Sequence, residues 1–157
     1  MSRKIKNTIE YDLNLFNSEL KNLSSLEMLT WSLNKFENHL ACTTSFGIQS
    51  SVLLHLIQNS LLKDRVKIFW IDTGYLPKET YLYANTLINH LSLDVNILQS
   101  DISPAHMEAI HGKLWESKKE DDINKYHQIR KVNPLDQALK KYSIHCWING
   151  VRAQQTE

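Results

Sequence analysis

The sequence predicts an α/β protein: a doubly wound, mostly parallel sheet with helices on both faces, preceded by two N-terminal helices. Three observations predict it. Short β-type apolar runs alternate with stretches of helical periodicity along most of the chain. Gly47, Gly74 and Gly150 each fall just after a predicted strand. Pro77 and Pro134 stand where a first helical turn tolerates proline. Alternating strands and helices pack most simply as parallel strands with crossover helices. In such sheets ligands bind beyond the carboxyl ends of the strands.

The elements follow in order. Leu13, Leu15, Phe16, Leu20 and Leu23 recur at helical spacing and predict a first helix. Ser24 with Glu27 forms a capping-box pattern that opens a second helix through about Phe36. Strands are expected at Leu40–Thr44, Val66–Ile71, Leu93–Leu98 and Ile144–Ile148. Helices are expected at Gln49–Leu61, Lys78–Leu91, Pro104–His111 and Pro134–Tyr142, with Gly112 ending the third of these. Residues 116–125 form a highly charged stretch suited to a solvated loop or helix. The chain is expected to divide into a helical segment, 1–37, and an α/β domain, 38–157.

Composition narrows the class. The 157 residues are 42% apolar, which suits one folded unit. A formal charge of +1 gives no support for broad nucleic-acid or membrane binding. The N-terminus lacks a signal-peptide apolar core, and no apolar run reaches the length of a membrane span. These features predict a cytoplasmic protein. The 2 cysteines, Cys42 and Cys146, make neither a disulfide framework nor a zinc pattern. Both lie in apolar strand runs and are expected to be buried thiols.

Four segments carry chemistry. Thr43 to Ser51 is a hydroxyl-rich turn with a glycine between a strand and a helix. Backbone N–H groups, hydroxyls and the helix dipole make such a turn an anion site. It lacks the Gly-Lys-Ser/Thr of a Walker loop. Phe69 to Tyr75 ends a strand on Asp72-Thr73-Gly74. Asp72 could accept bonds from a ribose or an adenine amine, or cap its own turn. Arg130 and Lys131 suit phosphate or sulfate. Trp147 to Arg152 is a further strand end with a cation beyond Gly150. The histidines show no metal-ligand spacing.

Together the segments TTSFGIQSSVLLHL, IDTGYLPKETY, GKLWE, YHQIRKVNPLDQAL and WINGVRAQQ resemble successive blocks of the 3′-phosphoadenylyl-sulfate (PAPS) reductase family, in that family's order. The resemblance covers about residues 40–157. It implies an adenine-nucleotide α-hydrolase-like fold with a modified PP-loop. It places Ser45, Phe46, Gly47, Gln49, Ser50 and Ser51 around the nucleotide, with Asp72, Thr73 and Gly74 as a second contacting block. Arg130, Lys131 and Arg152 match basic positions near the phosphate and sulfate groups, and Gly150 lies in the last block. The implied ligands are PAPS and adenosine 3′,5′-bisphosphate. The implied reaction is reduction of PAPS to sulfite in sulfate assimilation, with thioredoxin or glutaredoxin as reductant; a homodimer is one assembly the resemblance allows.

Two departures from the family pattern matter. The family's nucleophilic cysteine lies in a Glu-Cys-Gly-Leu-His-like tail, which this sequence lacks, so the chain is expected to be C-terminally truncated, to carry no catalytic residue and to be inactive alone. Iron–sulfur members carry a cysteine pair where this chain has Tyr126 and His127. No cluster, metal or other bound cofactor is therefore expected, and the cluster-free, PAPS-using branch is favoured. Two alternatives stand beside this reading. One is another PP-loop enzyme, such as an ATP sulfurylase small subunit. Phe46 and Gln49 replace a glycine and a carboxylate of that pattern, and losing the carboxylate weakens magnesium–ATP chemistry. The other is a non-catalytic nucleotide-binding module.

Overall fold

The computed structural model describes residues 11–150. The helices are α1 (Leu13–Leu20), α2 (Ser25–Phe36), α3 (Ser50–Gln58), α4 (Lys78–Leu91), α5 (Pro104–His111), α6 (Glu120–His127) and α7 (Asn133–Lys141). The strands are β1 (Leu40–Thr44), β2 (Val66–Ile71), β3 (Val95–Leu98) and β4 (Cys146–Ile148). All pair in parallel, in the order β3-β2-β1-β4. The chain steps outward from β1 to β3 and then returns to the other side of β1. The carboxyl end of β1 is therefore the switch point, where adjacent connections leave to opposite faces and open a crevice.

Alternation along the central strands builds a core on each face of the sheet. Leu40 and Cys42 pack with Phe16, Leu29, Phe36, Ile57 and Leu62, so α1, α2 and α3 cover this side of β1. Ile68 and Trp70 pack with Phe46, Leu54, Ala84 and Leu93 under α3 and α4. On the opposite face Ala41 and Phe69 meet Leu135 and Ala138 of α7. Met107, Leu114 and Tyr126 form a satellite cluster beside α5 and α6. The capping box at Ser24 and Glu27 is present as expected.

Several expected boundaries move, each for a local reason. The first helix stops at Leu20 because Ser24 already caps the next one. α3 ends at Gln58 rather than Leu61, since the Asn59 side chain bonds back to the His55 carbonyl. β3 begins at Val95, because Leu93 N–H donates to the Ile88 carbonyl while Ser92 closes α4 in the left-handed region. β4 begins at Cys146, because Ile144 N–H donates back to Leu139. At this edge position Cys146 is only half-buried, whereas Cys42 is fully buried as expected. A 3-10 turn at Leu114–Glu116 and a π-helical turn at Gln128–Val132 had no expectation attached.

Candidate functional site

A cavity of about 740 Å³ opens at the switch point. Its wall comes from three strand ends: Ser45, Gly47, Gln49 and Ser50 after β1, Ile71 at the end of β2 with Thr73 beyond it, and Asn149 and Gly150 after β4. Trp70, Leu76 and Lys131 complete it among others. Lys131 is the single formally charged side chain on this wall among the described residues, and no carboxylate lines it.

The turn after β1 is built to leave donors open. Phe46 takes φ 52°, a left-handed conformation that costs a non-glycine residue about 1–2 kcal/mol. Its ring repays this by burial against Trp70, edge to face at 4.9 Å. Gly47 does not take up positive φ; the left-handed residue of this turn is Phe46. Phe46 N–H donates to Thr44 Oγ1, which tightens the turn. Gln49 gives α3 no side-chain cap. The N–H groups of Gly47, Ile48 and Gln49 and the hydroxyls of Ser45 and Ser50 have no protein partner among the described residues. They converge at a helix N-terminus, a favourable place for an anion.

The turn after β2 is the opposite. Asp72 is buried, and its Oδ1 accepts from Gly74 N–H at 2.8 Å and from Tyr81 Oη at 2.7 Å. Its Oδ2 accepts from Gln99 at 2.8 Å. Burial alone would raise this carboxyl. Hydrogen bonds from Tyr81, Gly74 and Gln99, aided by the Arg130 charge, outweigh it and hold Asp72 below the ordinary carboxylate range. Gly74 sits at φ +76°, and a Cβ there would lie 2.6 Å from Pro104 Cγ.

The structure therefore sorts the residues that sequence singled out. Ser45, Gly47, Gln49, Ser50, Thr73, Lys131 and Gly150 share the cavity wall. Phe46, Ser51, Asp72, Gly74 and Arg130 lie outside its lining: Phe46 is core, Ser51 Oγ donates to the Ile48 carbonyl, and Asp72 and Arg130 are engaged by protein groups. Arg152 lies outside the described residues. Sequence reasoning missed Trp70, Leu76 and Asn149. Trp70 had one usable signal, its place one residue before the β2 end. Its Nε1 is buried with no acceptor among the described residues, a state that costs about 1–3 kcal/mol unless something supplies one. Among the described residues no group of three or more His, Cys, Asp or Glu side chains gathers to hold a metal, and no helix is long and apolar enough to cross a membrane.

A phosphoadenosine phosphosulfate reductase domain model matches residues 39–157, which takes in every strand and the whole cavity wall. The chain belongs to this family. Within the PAPS reductase family it is similar to a phosphoadenosine 5′-phosphosulfate reductase of Synechocystis sp., 43% identical over 92% of this chain and 57% of that protein. It is also similar to one of Photobacterium profundum, 40% identical over 96% of this chain and 59% of that protein. The chain thus spans well under two thirds of these curated relatives. The fold matches the crystal structure of a PAPS reductase from Candida auris, a phosphate complex, at a TM-score of 0.79 and 28% identity, covering 96% of this chain and 73% of that one.

Proposed function

We propose that the cavity binds the nucleotide part of PAPS and its product adenosine 3′,5′-bisphosphate, and that the chain is the nucleotide-binding portion of a PAPS reductase. The observation that carries this reading is the wall itself: open N–H groups and hydroxyls at the α3 N-terminus, one lysine and no carboxylate among the described residues. That surface suits a polyanion and disfavours a magnesium-loaded site, which would need anionic oxygens. Ser45, Gly47, Gln49, Ser50 and Lys131 contact phosphate groups, while Thr73, Leu76 and Gly150 flank the rest of the nucleotide. Arg152 adds a further cation.

In the reaction proposed for the whole protein, a thiolate attacks the sulfur of PAPS and displaces adenosine 3′,5′-bisphosphate, leaving an S-sulfocysteine. A thiol of thioredoxin or glutaredoxin then attacks that cysteine, sulfite departs, and a mixed disulfide forms. Neither Cys42 nor Cys146 suits the first role: burial pushes the Cys42 thiol up to about 12, and burial raises Cys146 despite a Ser32 hydrogen bond. This reading assigns the nucleophile outside these residues. It uses no metal or cluster, places the protein in the cytoplasm, and keeps 38–157 as the nucleotide unit and 1–37 as an N-terminal helical segment. A homodimer is one assembly compatible with this reading.

Calorimetry with adenosine 3′,5′-bisphosphate tests the binding step. Saturable binding in the micromolar range is expected, with ATP binding more weakly. A folded chain that binds neither at millimolar ligand would remove the proposal.

A further inference from the structure

Arg130 and Lys131 are neighbours in sequence, yet they part company in space. Arg130 is 2% exposed, while Lys131 is exposed and lines the cavity. They lie on a π-helical turn, Gln128–Val132, in which Asn133 N–H reaches back to the Gln128 carbonyl, and neighbours on any helical turn project roughly 100° apart. Pro134 follows it, and proline has no N–H to give the Arg130 carbonyl and crowds it in a regular helix. The widened turn relieves that conflict, and such turns recur at functional sites.

The buried guanidinium is held by backbone through two of its three nitrogens. Nε donates to the Thr73 carbonyl at 2.8 Å and Nη1 to the Ile102 carbonyl at 2.6 Å. Nη2 lies 3.1 Å from the point where a Cβ on Gly74 would stand. Arg130 therefore ties together two connections, one after β2 and one after β3. Arg130 does not line the cavity, whereas Thr73, whose carbonyl it holds, does.

We infer that Arg130 is a positioning residue: its guanidinium sets the Thr73–Gly74 turn against the cavity, and it does not contact the anion itself. The role rests on the nucleotide reading of the cavity. It makes Arg130 matter equally to every ligand that touches Thr73, charged or not, whereas Lys131 matters only to charged ones.

The test compares adenosine with adenosine 3′,5′-bisphosphate, on the wild-type chain and on Arg130→Lys, Arg130→Met and Lys131→Met. Lys131→Met should weaken bisphosphate about tenfold or more, flatten the salt dependence and spare adenosine. The Arg130 variants should weaken both ligands by the same factor and keep the wild-type salt slope. A residue of merely structural value would lower the melting temperature and leave both affinities unchanged in folded protein. If an Arg130 change spares adenosine and flattens the salt slope, Arg130 contacts the anion and the inference is overturned. Amide exchange in ligand-free protein gives an independent arm. Arg130→Lys, which keeps the charge and loses the fork, should speed exchange at Gly74 and Tyr75, and unchanged rates there would overturn the inference even if Arg130→Met does not fold. Wild-type protein that binds neither ligand would remove the nucleotide reading, while faster exchange at Gly74 would still establish the clamp.

Discussion

The turn after β1 and the turn after β2 look alike in sequence and behave as opposites. Each follows a strand and combines hydroxyls with a glycine. In the first, the N–H groups of Gly47 and Gln49 and the hydroxyl of Ser50 face a cavity without protein acceptors among the described residues. In the second, Asp72, Thr73 and Gly74 are held by Tyr81, Gln99 and Arg130. One turn is left polar and open for a ligand; the other is saturated and sets where the wall stands. The difference teaches that a strand-end motif marks a site as a whole, and that only the surrounding partners decide which members touch the ligand.

The largest effect expected concerns the floor beneath the open turn. Cys42 lines the cavity, yet its thiol is pushed up to about 12 by burial. Its alkylation in native protein should run on the order of a thousandfold slower than that of a free thiol. Half-buried Cys146 should label first. Mass spectrometry of iodoacetamide-treated protein reads both. The same chemistry predicts that residues 1–157 alone release no sulfite from PAPS with thioredoxin, and that Cys42→Ser and Cys146→Ser leave this unchanged. Sulfite production abolished by either change would locate the nucleophile in this chain.

Next in size is the contrast between glycines. Gly74→Ala forces a left-handed alanine against the Pro104 ring and should cost about 2–4 kcal/mol in denaturant titrations. Gly47→Ala meets only Ser45 Oγ at 3.5 Å, an ordinary contact, and should stay within about 1 kcal/mol of wild type. Equal losses at the two sites would erase the distinction between the turns.

Asp72 gives the saturated turn a pH signature. Its folded carboxyl is depressed, so its stabilisation is complete above the unfolded value of about 3.9 and is lost as pH falls through the lower folded value. Asp72→Asn should lower stability at neutral pH by about 1–3 kcal/mol and remove that share of the acid dependence. Melts between neutral and strongly acidic pH would show a flatter profile for the variant.

Smallest is the effect of a single open donor. Ser50→Ala should weaken adenosine 3′,5′-bisphosphate by about 0.5–1.5 kcal/mol and leave the melting temperature nearly unchanged. A large loss of stability with unchanged affinity would mean that the open turn is not open.

Much of the architecture was legible because its causes are local. α4 and α5 match their expected limits because Pro77 and Ser103-Pro104 start them and Ser92 and Gly112 stop them. β1 and β2 match because each is a short apolar run buried on both faces, bounded by turn residues. The parallel order followed from the alternation of strands and helices. The open turn was legible for the same reason: a strand, hydroxyls, a glycine and a helix start lie within a few residues.

What tertiary structure alone decided was the division of labour among those residues. Sequence placed Phe46, Asp72 and Arg130 beside the nucleotide; the folded chain engages them instead with Trp70, with Tyr81 and Gln99, and with the Thr73 and Ile102 carbonyls. Apart from Tyr81, which follows Asp72 closely, those partners lie far along the chain, and periodicity carries no record of them. The π-helical turn is the clearest case. Pro134 announced a helix start, but whether the strain at the Arg130 carbonyl ends the preceding helix or widens it depends on what the Arg130 side chain finds on turning inward. It finds two strand-end carbonyls brought together by sheet order, and their capture of a buried charge is a property of the assembled fold.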